Sequence, residues 1–177
     1  MPFRYNPAAR VLHWLVALLV LAMFVLGIAM VYVVSGDTQP ALSHRLYTTH
    51  ESLGVVILLV MVLRLIQRWR HPPGPLPVGV PRVYHIVGHA NHVLLYVLLL
   101  VQPIIGLLRD NAGGFQVVWF DIVKVPMLIG KDKALADALS AAHWYGALLI
   151  ALLIGAHIGG ALFHAVIRRD GVLQRML

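Results

Sequence analysis

Four apolar runs, at residues 11–34, 47–67, 83–108 and 141–167, dominate this 177-residue chain. At about 1.5 Å of rise per residue, a helix of some twenty residues crosses the ~30 Å hydrocarbon core of a bilayer. Backbone in hydrocarbon has no water to bond, and a helix satisfies its own amides. The second run contains VVILLVMVL and the fourth ALLIALLIGA, neither broken by a charge. The third holds Gln102-Pro103, a kink that neighbouring helices absorb. The expected fold is therefore all-α, a transmembrane four-helix bundle, with residues 1–177 as one unit. Composition agrees. The chain is 60% hydrophobic and 12% charged with a mean hydropathy of +0.82, whereas a soluble domain is about a quarter charged.

The charges lie between the runs. A pI near 10.3 would suit nucleic acid if it coated one surface, but here the cations mark the ends of spans, so no nucleic-acid partner is expected. One side collects Arg4, Arg10, Arg64, Arg68, Arg70, Arg82, Arg168, Arg169 and Arg175 against Asp170 alone. The other has Arg45, Arg109, Lys124, Lys131 and Lys133 against six acids. The cation-rich side is expected to be cytoplasmic, with both termini there. The opening MPFRYNPAAR, followed by an apolar run too long for an h-region, reads as a retained first span and not as a signal peptide. HPPGPLPVGVPR, at 71–82, is a stiff non-helical linker. Residues 109–140 form the long loop. Within it GGFQVVWFDIVKVPML sets Phe115, Trp119 and Phe120 at headgroup depth, and KDKALADALSAA starts a helix leading into the fourth span.

Ten histidines and no cysteine narrow the chemistry. Disulfides, thiolate-held clusters and covalent c-type haem are excluded. In HWYGALLIALLIGAH, His143 and His157 stand fourteen residues apart. Fourteen steps of about 100° end roughly 40° short of four turns, so both rings share one face about 21 Å apart in depth. His50 opens the second span at the outer side and His13 the first span at the inner side. The four fall into two levels, His50 with His143 and His13 with His157. Paired imidazoles facing across a bundle suit haem iron, whose four equatorial positions porphyrin fills. Iron held by two histidines carries electrons and leaves no position for oxygen. Two haems without a covalent tether, one per level, are expected. Zinc fits less well, because its sites cluster three or four protein ligands. Gly54, Gly146, Ala17 and Ala161, three or four residues after the ligands, keep bulk low beside each ring.

Other residues leave alternatives open. Arg64, fourteen residues after His50, either pairs with a propionate of the inner haem or snorkels to the interface. His85, His89 and His92 form one stripe at i, i+4, i+7, able to meet haem propionates, a quinone or water. His164, seven residues past His157, can donate to a quinone carbonyl, relay a proton or simply sit at the interface. His44 and His71 lie at loop ends and are expected to be solvated.

RVLHWLVALLVLAMF, HESLGVVILLVMVLRLIQR, GHANHVLLYVLLLVQPIIGLL and AHWYGALLIALLIGAHIGGALFH together resemble the bacterial cytochrome b561 family, over nearly the whole chain. That family is the four-span di-haem relative of the cytochrome b subunits of hydrogenases and formate dehydrogenases. The resemblance implies that His13, His50, His143 and His157 hold haem b and that the chain is an inner-membrane oxidoreductase exchanging electrons with ubiquinone. It further implies superoxide as donor at the periplasmic face, and a quinone site near His164. Basic residues on the outer face would draw in the anion, yet the outer loops sum to about −1 from five cations and six acids. Two other readings stand beside it. In one, the chain is a cytochrome b subunit fed by a partner dehydrogenase or periplasmic cytochrome. In the other it is a haem-free metal or proton transporter, which the lack of carboxylates deep in the spans disfavours.

Overall fold

Four helices are present in the computed structural model, which describes residues 4–34, 36–74 and 79–177. The first three residues of MPFRYNPAAR and residues 75–78 of the proline-rich linker lie outside the described residues. Helix α1 is Pro7–Ile28, α2 is Pro40–Arg70, α3 is Arg82–Gly113 and α4 is Lys133–Leu162. Among the described residues, all four are long and apolar enough to cross a membrane.

Local chemistry sets the ends. Asn6 caps α1 by accepting from the Ala9 N–H at 2.8 Å, and Pro7 follows where its missing N–H costs nothing. Asp132 caps α4 through the Leu135 N–H at 3.1 Å. Gly114 ends α3 at φ +88, a left-handed residue suited to glycine. Two helices finish in π-helical turns, Ala29–Val33 after α1 and Phe163–Arg168 after α4.

The helices are longer than the apolar runs. Helix α2 starts at Pro40 and not at 47, because ALSHRLY continues the helix outside hydrocarbon. The loop expected at 109–140 shrinks to residues 114–132, since α3 runs on to Gly113 and α4 begins at Lys133 within KDKALADAL, a helix start its sequence suggests. That loop carries an antiparallel strand pair the sequence does not announce, β1 Val118–Trp119 with β2 Val123–Lys124. Phe120 and Asp121 turn between them with φ of 48° and 58°, the left-handed pair of a tight hairpin. Ser52 of α2 clasps this turn. Its Oγ accepts from Phe120 N–H at 2.7 Å and its carbonyl from Trp119 Nε1 at 3.3 Å. Fully buried Asn111 holds the rest, its Oδ1 accepting from Leu128 N–H at 2.8 Å. Trp119 is half-buried, while Phe115 and Phe120 are exposed.

Helix α3 packs on α4, α1 on α2, and α2 joins the two pairs. The buried core is small: Val16, Val20, Ile57, Val60 and Met61 at mid-depth, flanked by Leu99, Leu100 and Ile154. Leu18, Leu21 and Leu152 are 61–70% exposed. An apolar surface this extensive belongs against lipid. At one end the two chain termini meet. Arg4 donates to the Leu177 carbonyl at 2.8 Å, Tyr5 N–H to Arg175 at 3.1 Å, and Trp14 Nε1 to Met176 at 3.2 Å.

A candidate di-haem centre

The mid-depth core separates two polar levels. At the outer one, His50 of α2 faces His143 of α4, ring centroids 6.3 Å apart. At the inner one, His13 of α1 faces His157 of α4 at 6.0 Å. A metal bound between two imidazoles at about 2 Å from each nitrogen puts the ring centroids roughly 6 Å apart. Both pairs have that separation.

Buried Nδ1 atoms of His50 and His143 have no hydrogen-bond partner among the described residues. A buried ring nitrogen left so is short of a partner that a bound group can supply. Around them lies a cavity walled by Met23, Gly54, Pro103 and Gly106, with Glu51, Arg109 and Asp110 as its polar side. Glycines make the room. A Cβ on Gly106 would sit 3.2 Å from His143 Cε1, and one on Gly54 3.9 Å from the end of Met23. Gly146, expected to clear space beside His143, does something else. A Cβ there would collide with Gln102 Oε1, the side chain whose Nε2 donates to the His143 carbonyl at 2.6 Å. The imidazoles, the orphan nitrogens and the glycine cradle fit a haem.

The inner level is more crowded. Arg64 reaches His13 Nδ1 at 2.8 Å and lies over the Tyr96 ring at 5.3 Å. A guanidinium only donates, so in this contact Nδ1 accepts and the ring proton sits on Nε2. A metal at Nε2 requires the opposite tautomer. Arg64 then turns to another acceptor, and a propionate is one within its chemistry. His92 stands next to the pair, its ring centroid 5.2 Å from that of His157. His89 and His85 are exposed, so of the predicted stripe only His92 joins the site. His164 lies beyond it in the π-helical turn, against Tyr84 at 6.2 Å. His44 is exposed, 3.8 Å from Asp121, and His71 is exposed.

Three features of the site are additional to those read from the sequence. Arg109 is tied to Asp110 at 2.5 Å beside the outer pair; the string RDN closing an apolar run is the signal for it. Glu51 follows His50 directly and lines the same cavity. Asp170 binds His164 Nδ1 at 2.6 Å, a pairing across six residues that no helical spacing suggests.

Comparison with known proteins agrees with the resemblance. The family model of prokaryotic cytochrome b561 matches residues 4–177. The chain is 34% identical to cytochrome b561 homolog 2 of Escherichia coli (strain K12), over 99% of this chain and 92% of that protein. It is 30% identical to the probable superoxide oxidase CybB of Yersinia pestis, over 94% of this chain and 91% of that one. Cytochrome b561 homolog 1 of the same Escherichia coli strain is 25% identical over 98% and 97%. The chain belongs to the prokaryotic cytochrome b561 family, multi-pass inner-membrane proteins that bind haem b and transfer electrons.

Proposed function

We propose that the chain holds two haem b groups and passes electrons across the membrane between a periplasmic donor, superoxide, and ubiquinone. His50 and His143 hold the outer group, His13 and His157 the inner one. The observation that carries this reading is the repetition of one geometry, paired imidazoles 6.3 Å and 6.0 Å apart, at two depths about 21 Å apart. When bound, each haem iron alternates between ferrous and ferric states and so carries one electron.

The chain's own residues do the rest. Gly54 and Gly106 leave room at the outer level. Arg64 brings a guanidinium into contact with the inner pair, and it offsets propionate charge. His164 forms the quinone-facing side, with His92 nearer the inner pair. Nine cations against one acid on the side bearing both termini orient that side to the cytoplasm. Membrane lipid covers the apolar flanks.

One observation favours a second donor. The outer cavity presents the carboxylates of Glu51 and Asp110 against the single guanidinium of Arg109, a poor receptor for an anion. A partner dehydrogenase or periplasmic cytochrome would meet no such penalty. The test is the purified holoprotein with no other subunit, a xanthine oxidase source of superoxide, and ubiquinone-1. Superoxide consumption that requires the quinone is the expected result. Consumption that stays at the spontaneous rate, with haems that still reduce with dithionite, assigns the donor to a partner protein.

A further inference from the structure

At the inner end of α4, one acid stands where electrostatics disfavours it. A helix C-terminus carries partial negative charge and prefers cations, and Arg168 and Arg169 supply them. Asp170 follows directly, the only acid on that side of the chain. Its placement takes backbone strain. Arg169 at φ 54 and Gly171 at φ 77 are both left-handed, and the first is not a glycine. This reversal folds Asp170 back under the π-helical turn, its N–H reaching the His164 carbonyl at 3.4 Å. π-helical turns concentrate at functional positions.

The carboxylate is then held by three donors. His164 Nδ1 lies 2.6 Å and Arg168 Nε 3.1 Å from Oδ2, and Val172 N–H lies 3.3 Å from Oδ1. Partial burial pushes the Asp170 carboxyl up, and the bonds from His164, Val172 and Arg168 outweigh it, leaving it below the ordinary aspartate range. Arg168 also donates to the Gly79 carbonyl at 2.8 Å, which pins it from the α3 side. The groups facing the imidazole are thus Asp170, Arg168 on its own segment, and Tyr84 of α3, over whose ring Arg168 lies at 5.6 Å. Both side chains of the pair are little exposed, 14% for His164 and 12% for Asp170.

We propose that Asp170 is a positioning residue that fixes His164 as the proton carrier for quinone reduction at the inner face. The inference rests on the quinone reading above. An ionised carboxylate on Nδ1–H locks the tautomer and leaves Nε2 as the exchanging atom. Reducing one quinone to quinol takes two electrons and two protons. Two superoxide ions, oxidised to dioxygen, supply the electrons. Each proton leaves Nε2 for a quinone oxygen, the neutral ring keeps its proton on Nδ1, and Nε2 is reprotonated from the aqueous side. Asp170 stays ionised throughout.

The experiment uses purified holoprotein with Asp170→Asn and Asp170→Glu. Haems reduced beforehand are mixed with ubiquinone-1 across a pH series and their reoxidation is followed. Binding of oxidised ubiquinone-1 is measured separately by ultrafiltration with no donor present. Asp170→Asn is expected to slow reoxidation at least about tenfold. The pH profile should change with the substitution, because the ring loses the carboxylate that holds its Nδ1–H. Binding should stay within about twofold, and Asp170→Glu should recover part of the rate. Wild-type rate and pH profile in Asp170→Asn would overturn the proposal, as would a loss of binding that accounts for the slower rate. If wild-type reduced haems are not reoxidised by the quinone, the quinone reading itself fails and the dyad with it.

Discussion

His50→Ala and His143→Ala each yield a protein with one haem b, the inner one, while His13→Ala and His157→Ala each retain the outer. The expectation follows from the pairing. In the proposed pairing each haem would be held by two imidazoles from different helices, α2 with α4 outside and α1 with α4 inside. Removing one ring would leave a single imidazole to hold the haem at a position where the fold brings two together. The two levels are separated by the packed layer of Val16, Val20, Ile57, Val60 and Met61, so damage at one need not reach the other. Haem per chain, measured as the pyridine haemochrome, should fall from two to one in all four variants. Outer and inner variants should lose different components of the reduced α-band. Four variants that each keep both haems would dissolve the pairing.

Gly106→Val is the second substitution with a large expected effect, although it touches no ligand bond. A Cβ at Gly106 already lies 3.2 Å from His143 Cε1 and 3.5 Å from Nδ1. Valine adds two methyl groups to that contact, and a β-branched side chain has little rotameric freedom on a helix. The backbone of His143 cannot easily retreat, since Gln102 of α3 grips its carbonyl. Overpacking of this kind costs about 1–3 kcal/mol, and here the strain falls on a ring proposed to hold the outer haem. The variant should insert and fold yet hold only the inner haem. Gly155→Ala is the matched control, because an added Cβ there meets nothing within 4 Å, and it should keep both. Equal haem content in the two variants would mean that Gly106 serves helix packing and not the cofactor.

Sequence carries the spans and the four histidines because both depend on rise per residue alone. A fourteen-residue interval on an apolar helix sets depth and face together, and both pairs lie where that arithmetic puts them. Helix ends are less legible from hydropathy, since ALSHRLY is a polar segment that stays helical in water, whereas KDKALADALSAA reads as the start of a helix from its own composition. The hairpin is illegible for another reason. Its strands are two residues each, too short to show alternation, and what fixes it is buried Ser52 on a distant helix. Gly146 reads as a clearance beside His143 but accommodates Gln102, a choice made by α3 across the interface. Asp170 counts in the sequence as one stray acid among cations. Only the left-handed Arg169 turns it back onto His164, and spacing along a helix does not foresee a reversal.

The most direct test of the account is the haem content and ligation of the wild-type protein, purified in detergent. It should hold two haem b per chain, both low-spin and six-coordinate by electron paramagnetic resonance when oxidised, and both reducible by dithionite. A single haem per chain, or a stoichiometric high-spin signal from an iron lacking its second imidazole, would contradict it.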